Sequence, residues 1–436
     1  MKTLKGRLSK LATSDVTVVF EPVGKKIKTS LGTTVFQAAK EAGVSIRSEC
    51  GGRGVCGKCK IIILNSSAVC EVTEAERKHL SRIEIDNGYR LACQTRILRD
   101  VVVIIPPESR TASSKIQVLG LERRVKLDPS TKKFHLLLPK PTLSDTKPDF
   151  ERLLDVLSDQ NQVVGDLEID YEVLKKLPNI LRDANWDVTV TVWNDNRRII
   201  AVEPGDTSNY LYGLAVDVGT SKIVIHLVNL NTGETLAIGS IENPQLIYGE
   251  DVMTRITFAT TNDNLKTLQR LIVDGINKVL HRVYEETKVN SNEVYEVVVV
   301  GNTAMHHFFL GIQPKYIALS PYTPALKRSI SLAAKELNIK VNRGGMVTTF
   351  PIIAGFVGGD AVADVLATGI HEAEAVSLLV DIGTNTEIII GNKDDLLCCS
   401  CASGPAFEGS HIKHGMKAVT GAIETVSYTH LRAHET

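Results

Sequence analysis

No charge of one sign predominates in this chain. Its 436 residues carry 50 Lys+Arg against 50 Asp+Glu, a formal net charge of zero. A nucleic-acid-binding face or a polybasic membrane-binding face needs a local excess of cations, so neither is expected. Long apolar runs are also missing, since none approaches the ~18 residues that a membrane-spanning helix needs. The basic opening MKTLKGRLSK leads straight into LATSDVTVVF, with no apolar core and no small-residue cleavage site. A secretory signal is therefore not expected, and the chain reads as cytoplasmic, with neither nucleic acid nor membrane among its partners. In a reducing cytosol its eight cysteines read as metal ligands or buried thiols rather than disulfides. Hydrophobic content of 43% and charged content of 23% are those of an ordinary globular protein.

Four regions separate by pattern, giving a multidomain α+β and α/β chain. Residues 15–107 hold short β-rich runs (VTVVF, KCKIIIL, DVVVIIP) around one helical stretch, TTVFQAAKEAG. Residues 108–115, just after a Pro pair, are polar and read as a linker. Residues 116–206 form a small mixed α/β middle domain with alternating strands KFHLLLP and WDVTVTVW and a helical run DFERLLDVLSD. From residue 210 strands and helices alternate. Within that part GLAVDVGTSKIVIHLVN (213–229) is repeated as SLLVDIGTNTEIIIGN (377–392). A repeat about 164 residues apart is too widely spaced for a solenoid and predicts two related subdomains.

Cys50, Cys56 and Cys59 lie in one tight loop, and Cys93 follows in RLACQTR. Three thiolates from one loop and a fourth from a distance are the plant-type arrangement for a 2Fe–2S cluster, here with five residues in the first gap instead of four. Glycines at 51, 52, 54 and 57 let the backbone curl close and aim N–H groups inward. Zinc is the rival, but it favours paired C-x2-C units and this loop has only Cys56–Cys59. Flanking β runs and a preceding helix fit a β-grasp ferredoxin scaffold. Cys70 lies outside the pattern and reads as a small buried or surface thiol.

The repeated hairpins, Asp217-Val-Gly219-Thr220-Ser221-Lys222 and Asp381-Ile-Gly383-Thr384-Asn385, suit nucleotide phosphates. Glycine allows close approach, threonine offers a hydroxyl, and aspartate can hold Mg²⁺ through its waters. One such turn is a common hairpin; a duplicated pair on apolar strands is more specific. Lys222 reads equally as a phosphate partner or as a solvated lysine.

With these motifs the chain resembles the reductive activators of corrinoid-dependent enzymes, iron–sulfur proteins with an actin/hexokinase/Hsp70-like (ribonuclease H-like) ATPase domain. The resemblance rests on the cysteine loop, both hairpins, Asn243-Pro-Gln245, Tyr248-Gly-Glu-Asp-Val-Met-Thr-Arg255, Gly301-Asn-Thr-Ala-Met305, Gly355-Phe-Val-Gly-Gly-Asp360 and Ser403-Gly-Pro-Ala-Phe-Glu-Gly409. It implies that a low-potential donor passes one electron through a 2Fe–2S cluster to a corrinoid protein, returning Co(II) to Co(I), with ATP covering the uphill step. That cobalt couple lies below the usual ferredoxin range of about −400 mV. It also implies that Asp217 and Asp381 hold Mg²⁺–ATP as the catalytic pair. Gly219, Thr220, Ser221, Lys222, Gly383, Thr384, Asn385, Gly359 and Asp360 would then contact the nucleotide.

Relatives of this kind continue further, and no later adenosine loop follows Glu424. The expectation is an incomplete actin-like domain over residues 210–424 with a non-family tail at 425–436. Two rivals remain: a redox-sensing module that binds nucleotide without hydrolysis, and a ferredoxin fused to a small-molecule kinase, although no sugar-binding constellation separates the hairpins. Cys398, Cys399 and Cys401 read as small buried strand residues. His306 and His307 read as structural, and Glu408 as lining the nucleotide cleft or a partner surface.

Overall fold

The computed structural model describes residues 15–44, 46–48, 50–106, 109, 125–161, 167–193, 197–383 and 385–403. Apart from Ser109, the linker 108–115 lies outside the described residues, as do Thr384, Glu408 and the stretch 425–436. The described residues form two compact units. One holds the residues up to 109 together with Gln245–Phe258; the other holds 125–244 and 259–403.

The first unit is built on strands β1 (Asp15–Glu21), β2 (Lys25–Ser30), β3 (Lys60–Ile63), β4 (Tyr89–Leu91) and β5 (Val101–Ile104), ordered β2-β1-β5-β3-β4. Strict alternation in β1 buries Val16, Val18 and Phe20 and leaves the residues between them more open, the period-2 pattern of a half-buried strand. β1 pairs parallel with β5 and antiparallel with β2. The helix Val35–Glu41 starts where the Thr34 hydroxyl accepts from the Gln37 amide, and it buries Val35, Phe36, Ala38 and Ala39. These join Phe20, Ile61, Leu91 and Val103 in one core. A mixed sheet closing on one helix is the expected β-grasp arrangement.

That core contains one ion pair. The Arg90 guanidinium donates to Glu76 through Nε at 2.9 Å and Nη2 at 3.0 Å. The Thr73 and Leu91 amides add bonds of 2.8 and 3.0 Å to the same carboxylate. Glu76 is fully buried. Burial alone would raise its pKa, but the Arg90, Thr73 and Leu91 donors outweigh it and hold the carboxyl below its ordinary value.

The second unit starts with β6 (Lys132–Leu137), β7 (Glu168–Ile169), β8 (Asp187–Trp193) and β9 (Arg198–Pro204), ordered β6-β8-β9-β7. The helices Asp149–Asn161 and Leu177–Asp183 cover one face with Leu153, Leu157, Leu177 and Leu181. On the other face Ile200 and Ala201 join Tyr295 and Met346, so the middle region packs into the same unit as the α/β part. Glu203 accepts from the Tyr295 hydroxyl and, at 2.6 Å, from Lys133.

The larger sheet has β10 (Tyr212–Val218), β11 (Lys222–Asn229), β12 (Thr235–Glu242), β13 (Val294–Val300), β14 (Ile330–Ala333) and β15 (Met346–Thr349), ordered β12-β11-β10-β13-β15-β14. Its first three strands form an antiparallel meander, and β13 and β15 then add parallel. Leu268, Ile272, Ile276, Val279 and Val283 of the long helix Asn262–Thr287 recur at three- and four-residue spacing and are buried. β16 (Ser377–Ile382), β17 (Asn385–Gly391) and β18 (Leu396–Ala402) form a second antiparallel meander. The sequence repeat is thus a structural one, with β10–β11 recurring as β16–β17.

Replacing Glu76 by Ala would leave the Arg90 charge buried and unpaired. Urea unfolding of the full chain should show the first unit destabilised by about 3–5 kcal/mol; an unchanged midpoint would mean that the pair contributes nothing.

Candidate functional site

In the first unit the loop between the helix Val35–Glu41 and β3 carries Cys50, Cys56 and Cys59, and Cys93 follows β4. The structure brings all four predicted thiols together as two pairs. Cys56 donates to Cys50 across 3.3 Å, and Cys59 to Cys93 across 3.3 Å. Cys50, Cys59 and Cys93 are buried and Cys56 is half-buried. Two thiol pairs suit the two irons of a 2Fe–2S cluster.

Backbone amides line this loop. Those of Val55, Gly52 and Cys56 reach the Cys50 sulfur, that of Lys58 reaches Cys56, and that of Gly54 reaches Cys93. The four loop glycines all have positive φ. Gly54 shows why: a Cβ there would lie 2.4 Å from Nε2 of Gln94, the group that donates to the Cys93 sulfur at 3.7 Å. The hydrogen bond from Cys56, helped by the amides, pulls the Cys50 thiol down to about 3 against the effect of burial. The bond from Cys59 likewise lowers Cys93. Their donors Cys56 and Cys59 are pushed up, since they keep the shared protons and are themselves buried. Cys70 stands apart, accepting from the Arg96 amide at 3.2 Å.

In the second unit Asp217 is the last residue but one of β10, and the turn Gly219–Ser221 leads to Lys222 at the start of β11. The turn is held by residues that were recognised only as parts of motifs. Asn243 donates from Nδ2 to the Gly219 carbonyl at 2.7 Å and from its amide to the Ser221 carbonyl at 2.8 Å. Asn302 donates to the Thr220 hydroxyl at 2.9 Å while its own Oδ1 caps the helix Thr303–Leu310. The Gly301 carbonyl receives the amide of Gly359, which opens the helix Gly359–Thr368 and brings Asp360 forward.

Asp217, Asp360, Asp364 and Glu387 gather around Asp381, whose charge contributes to raising the pKa of each of them. Water reaches Asp217, yet enclosure by protein and the neighbouring Asp360 and Asp381 still push its carboxyl upward. Burial, then Glu387 and Asp381, raise Asp360 to about 6, against a bond from the Ala361 amide. Burial, Asp381 and Asp360 raise Asp364 to about 7, and a hydrogen bond shared with Asp381 adds to this. Glu387 is raised by burial and by Asp381, while a 2.9 Å bond from Ser400 opposes the shift. One Asp364 oxygen, Oδ2, is buried without a hydrogen-bond partner. Asp364 lies one helical turn after Asp360 and Glu387 two residues after Asn385, so both were findable by their spacing from predicted residues. Gly383 and Asn385 form the second turn, where the Gly383 amide donates to the Asn385 carbonyl at 3.0 Å.

Two further expectations fare differently. His306 and His307 are buried; His306 Nε2 meets the Thr349 hydroxyl at 3.0 Å, and His307 receives the Ala325 amide at 3.0 Å, so both are structural. Cys398, Cys399 and Cys401, expected to be buried, are exposed. They lie on β18, which among the described residues pairs with β17 at the edge of a three-stranded sheet.

Four family models match the chain: a 2Fe-2S iron-sulfur cluster binding domain over residues 19–98, the RACo linker region over 120–209, the RACo middle region over 212–373, and the C-terminal domain of RACo, the ASKHA domain, over 375–435. A solved structure described as a reductive activator for corrinoid, iron-sulfur protein is 39% identical with a TM-score of 0.65, covering 94% of this chain and 67% of its own. The corrinoid activation enzyme RamQ of Eubacterium limosum is 28% identical over 410 residues, which is 94% of this chain and 65% of that relative. A Co(II) methylated amine-specific corrinoid protein reductase of Methanosarcina barkeri is 27% identical over 223 residues, 49% of this chain and 40% of that relative. An iron–sulfur domain joined to an ASKHA domain defines the class, and this chain belongs to the family of reductive activators of corrinoid proteins. It spans about two thirds of the length of the first two of these relatives.

The acid cluster has a pH signature. Carboxyls whose pKa is raised on folding bind protons more tightly in the native state, so their contribution to stability is present at low pH and is lost as pH rises from about 4 to about 7. Asp364→Asn should flatten that decline and raise the Tm by about 2 °C near pH 8; thermal unfolding across this range checks it, and an unaltered slope would place Asp364 outside the cluster.

Proposed function

We propose that the chain is an ATP-dependent reductive activator of a corrinoid protein, acting in the cytoplasm. The observation that carries this reading is the set of two thiol pairs, three of their four sulfurs buried, on an amide-lined loop, in a chain of this family. Cys50 and Cys56 would ligate one iron of a 2Fe–2S cluster, and Cys59 and Cys93 the other. Such a cluster supplies one-electron transfer at low potential. The loop amides of Gly52, Val55 and Gly54 stabilise charge on the sulfurs, and hydrogen bonds of this kind tune the potential. Burial of three of the four thiols keeps water from most of the site; half-buried Cys56, next to exposed Val55, marks the side nearest solvent.

Asp217 and Asp381 would hold Mg²⁺ with ATP, and Asp360 would face the same charge. Gly219, Thr220, Ser221 and Lys222 on one hairpin, and Gly383, Thr384 and Asn385 on the other, would contact phosphates, with Gly359 opening the helix alongside. Crowded carboxylates with an orphaned Asp364 oxygen fit a divalent cation, which would relieve their repulsion. The substrate is the corrinoid Co(II), which gains one electron to become Co(I); a low-potential donor restores that electron. Because the cobalt couple lies lower than a typical ferredoxin, ATP must supply the difference by changing the affinity of activator for corrinoid protein between states.

The test is anaerobic: dithionite-reduced protein is mixed with a Co(II) corrinoid protein, and Co(I) absorbance is followed with and without Mg-ATP. Co(I) should grow with ATP and vanish in Cys56→Ala. Asp217→Asn should keep the iron–sulfur spectrum and lower the ATP-dependent rate by about 100-fold. A loaded wild-type protein that forms no Co(I) under any of these conditions would overturn the reading.

A further inference from the structure

The segment Gln245–Phe258 leaves the α/β sheet region and packs within the iron–sulfur unit. Arg255 is fully buried, donating to the Gly249 carbonyl at 2.8 Å and to the Gln245 side chain at 3.2 Å, which closes the segment on itself. One face lies on the cysteine loop. Gly51, at φ +64°, sits so close that a Cβ would be 2.9 Å from the Tyr248 carbonyl and 3.3 Å from the Thr254 methyl. Arg53 bridges the two parts: Nε donates to the Cys50 carbonyl at 3.0 Å, and Nη2 lies 3.5 Å from the Thr254 hydroxyl. That hydroxyl donates to Asp251 at 2.6 Å. The Lys40 ammonium lies 4.3 Å from the Tyr248 ring centre and 4.8 Å from that of Phe36, fixing the segment against the helix that precedes the loop.

The other end of the segment starts two residues after Asn243. Asn243 is the residue that holds the carbonyls of Gly219 and Ser221 in the first Asp-x-Gly-Thr turn. The segment is joined to Asn243 through Pro244 alone, so a turn that shifts on binding phosphate acts through the backbone on a segment whose far side touches a cysteine ligand's carbonyl through Arg53.

We propose that Gln245–Phe258 is a coupling strap, and that Thr254 and Arg53 are positioning residues through which the phosphate turn and the cysteine loop sense each other's state. This rests on the reading of these two sites as nucleotide and cluster sites. Reduction adds one negative charge beside Arg53 and so alters its hold on the Cys50 carbonyl and Thr254. By thermodynamic reciprocity, if nucleotide alters the loop, the redox state of the loop must alter nucleotide affinity by the same factor.

The experiment is anaerobic calorimetric titration of the iron-loaded full chain with Mg-AMP-PNP, oxidised and dithionite-reduced. Wild type should show about a five-fold difference in Kd between the two states. Thr254→Val, which keeps the shape and removes the hydroxyl, should reduce that difference to under about two-fold, with iron content and visible circular dichroism unchanged. Lys40→Met, a second variant outside the loop, should weaken the coupling in the same direction. Equal Kd values in oxidised and reduced wild type, or undiminished coupling in Thr254→Val, overturn the strap. A wild-type chain that takes up no iron or binds no AMP-PNP overturns the site assignments as well, and the iron assay and the isotherm separate that failure from failure of the strap alone.

Discussion

Both sites bring acidic groups close together and hold them there. In the first unit two thiol pairs each share a proton across 3.3 Å. In the second, four carboxyls crowd around Asp381 and are raised in pKa, and Asp364 shares a hydrogen bond with Asp381. Isolated side chains would swing apart to relieve such repulsion. Here they cannot, because each is fixed to backbone whose own hydrogen bonds and packing are already committed. Around Asp381 the crowding of carboxyls is what a divalent cation would relieve.

The frames that bear this cost are different. Around the cysteine loop the Glu76–Arg90 pair ties the segment after Cys70 to β4 and its neighbour Leu91, two residues before Cys93. Around the phosphate turn the work falls to two asparagines, because an amide side chain can accept and donate at once. Asn302 caps one helix while gripping Thr220, and Asn243 closes both carbonyls of the turn. The turn is thus held from β12's exit on one side and from the helix Thr303–Leu310 on the other. The segment after Asn243 then gives the cysteine loop a second layer, where Gly51 admits the Tyr248 carbonyl at a distance no side chain would permit.

Much of this was legible beforehand. Cysteine spacing with loop glycines marked the four thiols, since only a particular set of gaps brings three into one loop. Period-2 alternation marked β1, and the repeated Asp-x-Gly-Thr marked β10–β11 and β16–β17, because an apolar strand followed by a glycine turn has few other solutions. Asp364 and Glu387, which join the acid cluster from a helix and a paired strand, could have been found by their spacing from Asp360 and Asn385 but were not singled out; the roles of Asn243 and Asn302 were not legible. The three cysteines of β18 misled for a related reason: small apolar-looking residues on a strand predict burial only if something covers that strand.

The sequence by itself determined the local matters: which thiols could ligate together, where the hairpins turn, and that the chain duplicates one supersecondary unit. Those follow from short-range geometry, in which spacing and backbone freedom leave little choice. Only the tertiary structure decided how the cysteines pair, which carboxyls meet, that the middle region shares a core with the α/β sheet, and that Gln245–Phe258 belongs with the cysteine loop. Each of these depends on contacts between residues far apart in the chain, such as Arg53 with Thr254 or Thr220 with Asn302, and no local pattern encodes which distant surface a segment will find.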